Sequence, residues 1–93
     1  MTLVANIYQM NTATAEDEKI GEVALENGVV VAKPEGDVHT DTMRRLIEVH
    51  IYVNGEEIRP KREPEAFVRG LHENYRSAYF HAGPAEERTT TTK

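Results

Sequence analysis

Imidazole groups are the first candidates for chemistry in this chain, because histidine is both a common metal ligand and an acid–base group near neutral pH. The four histidines are His39, His50, His72 and His81. No two of them have the HxH or HExxH spacing that brings two imidazoles to one metal, and there is no cysteine to complete a zinc site. His72 with Glu73 and the later His81 is the closest grouping. We therefore predict surface histidines, no metal and no cofactor.

Nucleophilic and phosphate-binding motifs are missing as well. Ser77 is the only serine, and it lies in no G-x-S-x-G elbow. The sequence has neither a GxGxxG nor a Walker motif, and Gly28 and Gly55 each follow an asparagine in a turn signal. We predict no catalytic residue and a protein that is not an enzyme.

The acidic run Glu16-Asp17-Glu18 is the one candidate for cation binding by carboxylates. It lacks the alternate spacing and the central glycine of a calcium loop. We interpret it as a solvated charge run within a polar loop, residues 11–19.

The charge of the chain limits the kinds of partner that it can bind. The net charge of -5 and the pI near 5.3 argue against general nucleic-acid binding, which needs a basic surface. Nucleic-acid binding stays open as an alternative through five basic residues, which are interspersed with glutamates. They are Arg44, Arg45, Arg59, Lys61 and Arg62. No apolar run approaches the roughly 20 residues of a membrane span. Together with the absence of cysteine, this predicts a soluble, cytoplasmic protein without membrane contact.

Two Asn-Gly pairs predict hairpins with type I′ turns, because both residues tolerate positive φ. Around Asn27-Gly28, residues 20–33 alternate so that Glu26 pairs with Val29 and Glu22 with Lys33. Around Asn54-Gly55, residues 49–60 form the second hairpin. Residues 2–10 read as a further strand, and the candidates for exposed edges are the stretches Leu3 to Tyr8 and Glu56 to Pro60.

Two helices are predicted. Residues 40–48 carry an apolar stripe of Met43, Leu46 and Ile47. The second helix begins at Pro64, a good first helical residue, and runs into a last strand at residues 77–82. Its buried face contains Phe67, Val68, Leu71 and Tyr75, while Arg69, His72, Glu73 and Arg76 are expected to be wet. Gly70 inside it is best explained by close packing against the sheet.

These elements predict one α+β domain over residues 1–83, followed by a disordered, Thr-rich tail over residues 84–93. The architecture expected is a small antiparallel sheet built from the two Asn-Gly hairpins plus terminal strands, with two helices on one face. In chain order this is strand, hairpin, helix, hairpin, helix, strand.

The segment 64–82 resembles a group of small uncharacterised bacterial proteins in its C-terminal pattern. The matching residues are Pro64-Glu65-Ala66-Phe67, Leu71, Tyr75-Arg76-Ser77, Tyr79-Phe80 and Ala82. The resemblance covers about a fifth of the chain and brings no activity, substrate or cofactor with it.

The leading hypothesis is a non-enzymatic protein-binding or assembly module, such as a phage or bacterial accessory factor, that presents a sheet edge or a tyrosine-bearing face. Self-association or a protein partner is therefore expected, and no small-molecule substrate is evident. A nucleic-acid-associated regulator is the first alternative, and an enzyme with a site shared across an oligomer interface is the second. The candidate interaction surface consists of Tyr52, Arg69, His72, Arg76, Tyr79 and His81.

Overall fold

The strand β1 (Thr2–Asn11) lies in the middle of the main sheet, with neighbours along both of its edges. The computed structural model describes residues 2–75 and 79–88. On one side β1 pairs with β2 (Glu16–Glu26), which pairs in turn with β3 (Val29–Pro34). All these pairings are antiparallel. The expected edge from Leu3 to Tyr8 is therefore wrong, because β2 pairs with all of that stretch and β7 and β6 pair with its two ends.

The connection between β1 and β2 is a tight turn, and the polar loop predicted for residues 11–19 is correspondingly shorter. The backbone N–H of Ala15 donates to the Asn11 carbonyl at 2.7 Å, and the Asn11 side chain accepts from the N–H of Ala13 at 2.9 Å. Ala15 takes a positive φ of 58° to complete the reversal. Glu16 and Asp17 then pair with the end of β1, so the acidic run begins a strand.

The turn between β2 and β3 has the geometry that its Asn-Gly pair predicts. Asn27 and Gly28 have φ values of 53° and 77°, as a type I′ turn requires. The partners expected across it, from Glu26 with Val29 to Glu22 with Lys33, are the partners observed.

Two short strands occupy the other edge of β1. They are β6 (Phe80–Ala82), which pairs with the second half of β1, and β7 (Glu86–Arg88), which pairs with the first half. The prediction of a disordered tail from residue 84 is wrong for β7, whose three charged residues are held as a strand by their backbone pairing with β1. Residues 89–93 of that tail lie outside the described residues.

Two helices cover one face of the sheet, as predicted. They are α1 (Thr40–Leu46), which follows a 3₁₀ turn at Asp37–His39, and α2 (Pro64–Asn74). Their apolar stripes pack on the alternate residues of β1 and β2 that face them. The core consists of Leu3, Ala5, Ile7, Ile20, Val23, Val30, Met43, Leu46, Ile51, Ile58, Phe67, Val68, Leu71 and Ala82. The α+β class with an antiparallel sheet and two helices is confirmed.

The second hairpin does not join the main sheet. Its strands β4 (Ile51–Val53) and β5 (Glu56–Ile58) form a two-stranded sheet of their own, which packs against α2. Gly70 permits this contact, because a Cβ there would come within 2.9 Å of Ile51 Cδ1. The expectation of one sheet containing both hairpins is thus corrected, since α2 has β4 as well as the main sheet to pack on. Among the described residues, no helix is long and apolar enough to cross a membrane.

Candidate functional site

A cleft of about 650 Å³ opens beside the end of α1. Residues 47–50, which lead from α1 into β4, form one wall, and residues 59–62, which lead from β5 to α2, form the other. The backbone N–H groups of Arg62 and Glu63 both donate to the Arg59 carbonyl, at 3.2 and 2.9 Å. This turn fixes the second wall directly before α2. We call this space the basic cleft.

The basic cleft differs in charge from the whole chain, whose net charge is -5. Three cationic side chains, Arg59, Lys61 and Arg62, line it against the single carboxylate of Glu48. Low-dielectric walls concentrate the field of such a group of like charges. The cleft is therefore suited to an anionic group.

Glu57 limits which of these cations is available. Its carboxylate accepts from Arg59 Nε at 2.9 Å and lies 3.3 Å from His50 Nε2. The hydrogen bond from Arg59 holds the pKa of Glu57 below its usual value, with a further contribution from the charges of Arg59, His50 and Arg62. Lys61 and Arg62, in contrast, form no ion pair with any residue in the described part of the chain. They are the cations that the cleft presents to a ligand.

A second hollow, of about 410 Å³, continues from the basic cleft toward the sheet. Its apolar lining comes from Val29, Val30, Ile47 and Pro60, and we call it the apolar hollow. The two spaces form one groove, because both are lined by Ile47, Glu48, Pro60 and Lys61. Val29, at the start of β3, is 58% exposed.

The groove meets β3 at its first two residues, Val29 and Val30. Within the described residues β2 is the only neighbour of β3, so the other edge of β3 is open. The β-turn bond joins the Glu26 carbonyl to the N–H of Val29, and bonded and non-bonded pairs alternate from there. The N–H and C=O groups of Val30 and Ala32 therefore point away from β2. No hydrogen bond from another described element reaches either residue.

The predicted interaction surface is not assembled at one place. Tyr52 lies on the second hairpin, 57% exposed, with its ring edge-on to His50 at 5.5 Å. Arg69 pairs with Glu65 along α2 at 3.0 Å. Tyr79 is 51% exposed and lines a separate hollow near the end of β1. Arg76 lies outside the described residues.

The contacts of two histidines of that surface are set by β6, and one of the two, His72, is placed differently from the prediction. His72 is half-buried, and its Nδ1–H donates to the Ala82 carbonyl at 2.9 Å, so it does not lie on a wet face. His81 stacks on Tyr8 at 5.2 Å and lies 3.4 Å from Asp17 on β2. Pairing of β6 with β1 explains both positions, because it brings His81 level with Tyr8. Asp17 is consequently half of a cross-strand pair.

The five basic residues considered for nucleic acid are also divided. Arg59, Lys61 and Arg62 line the basic cleft, whereas Arg44 pairs with Asp41 at 2.9 Å on α1. Neither Arg44 nor Arg45 lines the cleft. The opposite wall and the apolar hollow were not predicted, although the Arg-Pro-Lys-Arg sequence at residues 59–62 did mark the basic wall.

Within the described residues, no group of three or more histidine, aspartate or glutamate side chains is arranged to hold a metal ion. Comparison of the chain with protein-family models, curated proteins and solved structures finds no match.

Proposed function

We propose that this domain is a non-enzymatic module that binds another protein by adding an extended segment of it to the sheet at β3. The observation that carries this proposal is the open edge of β3 beside a groove. Main-chain hydrogen bonds to such an edge provide affinity, and hollows beside it select alternate side chains of the added strand.

Several properties of β3 support this use. Proteins commonly protect an edge with charge, proline or a bulge, because an open edge invites pairing. In β3 those features are confined to the end of the strand, at Lys33 and Pro34, while Val29-Val30-Val31-Ala32 is uncharged. Pro34 is opposite Gly21, which makes it an outward-facing position of the ladder where a missing N–H costs no sheet bond.

We also propose a cytoplasmic location and a role as a bacterial or phage accessory factor. The lack of cysteine favours a reducing compartment. The likeness of residues 64–82 to small bacterial proteins supports the second part, and it assigns no activity.

A proline at position 32 tests the edge directly. Ala32→Pro removes an outward N–H and places a ring on the edge, while the ladder bonds to β2 remain. Ala32→Ser is the matched control, since it keeps the N–H. We expect wild-type protein and Ala32→Ser to retain the same partner from a native lysate, and Ala32→Pro to lose it, with circular dichroism unchanged in all three. Retention of that partner by Ala32→Pro would contradict the proposal.

A second variant tests the edge without a proline, in case Ala32→Pro disturbs the fold. Val29 is largely exposed, so Val29→Lys should leave the domain folded while placing a charge on the edge. Loss of the same partner with Val29→Lys would confirm that the edge, and not the fold, is responsible.

A nucleic-acid-associated regulator is the second candidate, because three of its five basic residues meet in the basic cleft. It predicts binding of a labelled oligonucleotide that weakens steeply with salt and is lost on replacing Lys61 and Arg62 with glutamine. No binding at low salt would exclude it.

A further inference from the structure

We infer that the segment accepted at β3 is acidic, with an apolar side chain in the apolar hollow and a carboxylate between Lys61 and Arg62. This inference rests on the proposed strand addition and specifies the chemistry of the partner. The apolar hollow would select the apolar side chain, and the basic cleft would select the carboxylate.

The apolar part follows from strand geometry. Alternate side chains of an added strand point to the same face, so every second residue would lie on the helix side of the sheet. The apolar hollow lies on the helix side of the sheet beside Val30, where Ile47 and Pro60 border it. Covering the walls of the hollow with an aliphatic side chain removes apolar surface from water.

The acidic part follows from an excess of cations: among the described residues Lys61 and Arg62 have no ion pair, and Glu48 is the one carboxylate that lines the groove. Lys61 lines both the apolar hollow and the basic cleft, so a residue extending past the hollow comes next to it. Arg62 lies beside Lys61 on the same wall, and a guanidinium fits a carboxylate with two hydrogen bonds. Arg59 contributes less, because Glu57 already accepts from it.

A second copy of this chain is a poor occupant by the same reasoning. Its own β3 carries no carboxylate, and the one charged side chain in it, Lys33, is already paired with Glu26, so a second β3 offers no anion to Lys61 and Arg62. A partner with an aliphatic and an acidic residue two positions apart, on the same face of its strand, is complementary at both positions.

The experiment uses two labelled peptides as long as β3, one with valine and glutamate two positions apart and threonine elsewhere, and its twin with glutamine in place of glutamate. Binding to the full chain is followed by fluorescence anisotropy. We expect the glutamate peptide to bind about ten-fold more tightly than its twin, because charge-assisted hydrogen bonds exceed neutral ones. The preference should shrink as salt is raised.

Three variants separate this inference from the proposed function. Lys61→Gln/Arg62→Gln should abolish the preference for glutamate and leave the weaker binding of the glutamine twin unchanged. Arg44→Gln/Arg45→Gln is the matched control outside the cleft and should keep the preference. Ala32→Pro should abolish binding of both peptides.

Equal binding of both peptides to wild-type protein, lost with Ala32→Pro, would overturn the acidic preference and leave strand addition standing. Binding of neither peptide would overturn both. A labelled oligonucleotide that binds through Lys61 and Arg62 while both peptides fail would assign the cleft to nucleic acid. A dimer in light scattering that Ala32→Pro converts to monomer would assign the edge to a second copy.

Discussion

Arg88 Nη1 donates to Glu22 Oε1 at 2.7 Å and to the second carboxylate oxygen at 3.2 Å, which joins β7 to β2 across β1. Arg88 Nη2 also reaches the side-chain oxygen of Asn6 at 3.4 Å. The register of β1 with β2 and β7 places Arg88, Glu22 and Asn6 on the same face of the sheet, the one that α1 and α2 do not cover. Val4 and Ala24 lie on that face and yet are only 3% and 0% exposed. The stem of Arg88 is placed to cover them, as long charged side chains often do.

Removing β7 should therefore destabilise the domain. A chain ending after Ala85 loses the β1 pairing at Thr2–Val4 and exposes Val4, which costs about 1–2 kcal/mol. We expect the thermal midpoint to fall by about 4–16 °C, at about 4–8 °C for each kcal/mol lost. Arg88→Met is the control that keeps an apolar stem without the charge, and it should retain more stability than Arg88→Ala. A truncated chain as stable as the full one would show that β7 contributes nothing to the fold.

The stability should depend on pH through Glu22. Burial alone would raise the pKa of this carboxyl, but the hydrogen bond from Lys19 and the charges of Lys19 and Arg88 outweigh it and lower the pKa below 4.5. Below pH 4.5 the unfolded chain takes up a proton at Glu22 more readily than the folded chain does. The stabilisation is thus complete above that pH and is lost as the pH falls through the lower folded value.

Urea unfolding between pH 6 and pH 3 measures this loss. Glu22→Gln should have a shallower fall in stability with acid than wild type, and Glu18→Gln should keep the wild-type slope, since Glu18 has no ion pair with any described residue. Identical slopes for Glu22→Gln and wild type would rule out the linkage.

Gly70→Ala should lower stability, although alanine is favoured over glycine in helices by about 1 kcal/mol. The new Cβ would lie 2.9 Å from Ile51 Cδ1 and 3.0 Å from Val53 Cγ2, and overpacking of this kind costs about 1–3 kcal/mol. Ile51→Val removes the nearer atom, so the double variant should be more stable than the sum of its single changes predicts. Chemical unfolding of the four proteins gives this coupling. A Gly70→Ala protein more stable than wild type would mean that Ile51 and Val53 in β4 shift to accommodate the new methyl group at little cost in stability.

Phe67 and Tyr79 should respond in opposite ways to truncation. Phe67 is fully buried beneath the sheet, and Phe67→Ala should cost about 3–5 kcal/mol, enough to unfold much of a marginal domain. Tyr79 is half exposed, and its contact with β1 is made by its backbone carbonyl, which accepts from the N–H of Met10 at 2.8 Å. Tyr79→Ala should remain folded by circular dichroism, and an unfolded variant would place the ring in the core.

Local patterns in the sequence were sufficient for the parts of the fold held by near neighbours. The Asn27-Gly28 turn and the alternation around it determine one register, and the stripe containing Phe67 and Leu71 determines the buried face of α2. Both depend on residues only a few positions apart. Pairing of β7 with β1 has no such signal, because Glu86–Arg88 has no apolar alternation and becomes a strand only through its distant partner.

The same distinction applies to the candidate site. The basic residues at 59–62 are visible in the sequence as a run of charge. Their opposite wall at residues 47–50 is brought there by packing of α1 and the second hairpin, which no local pattern predicts. His72 was misplaced for a related reason, since the Ala82 carbonyl that it meets belongs to a strand whose position is set by β1.

The central place of β1 has a consequence for the order in which the domain folds. β2 follows β1 immediately, but the other side of β1 is completed by β6 and β7, from beyond α2. Contacts between residues so far apart in sequence slow folding, because the intervening chain must be ordered first. Until they form, an intermediate containing only β1, β2 and β3 has two open edges. Such an intermediate is prone to aggregation. Its lifetime depends on how fast β6 pairs with β1.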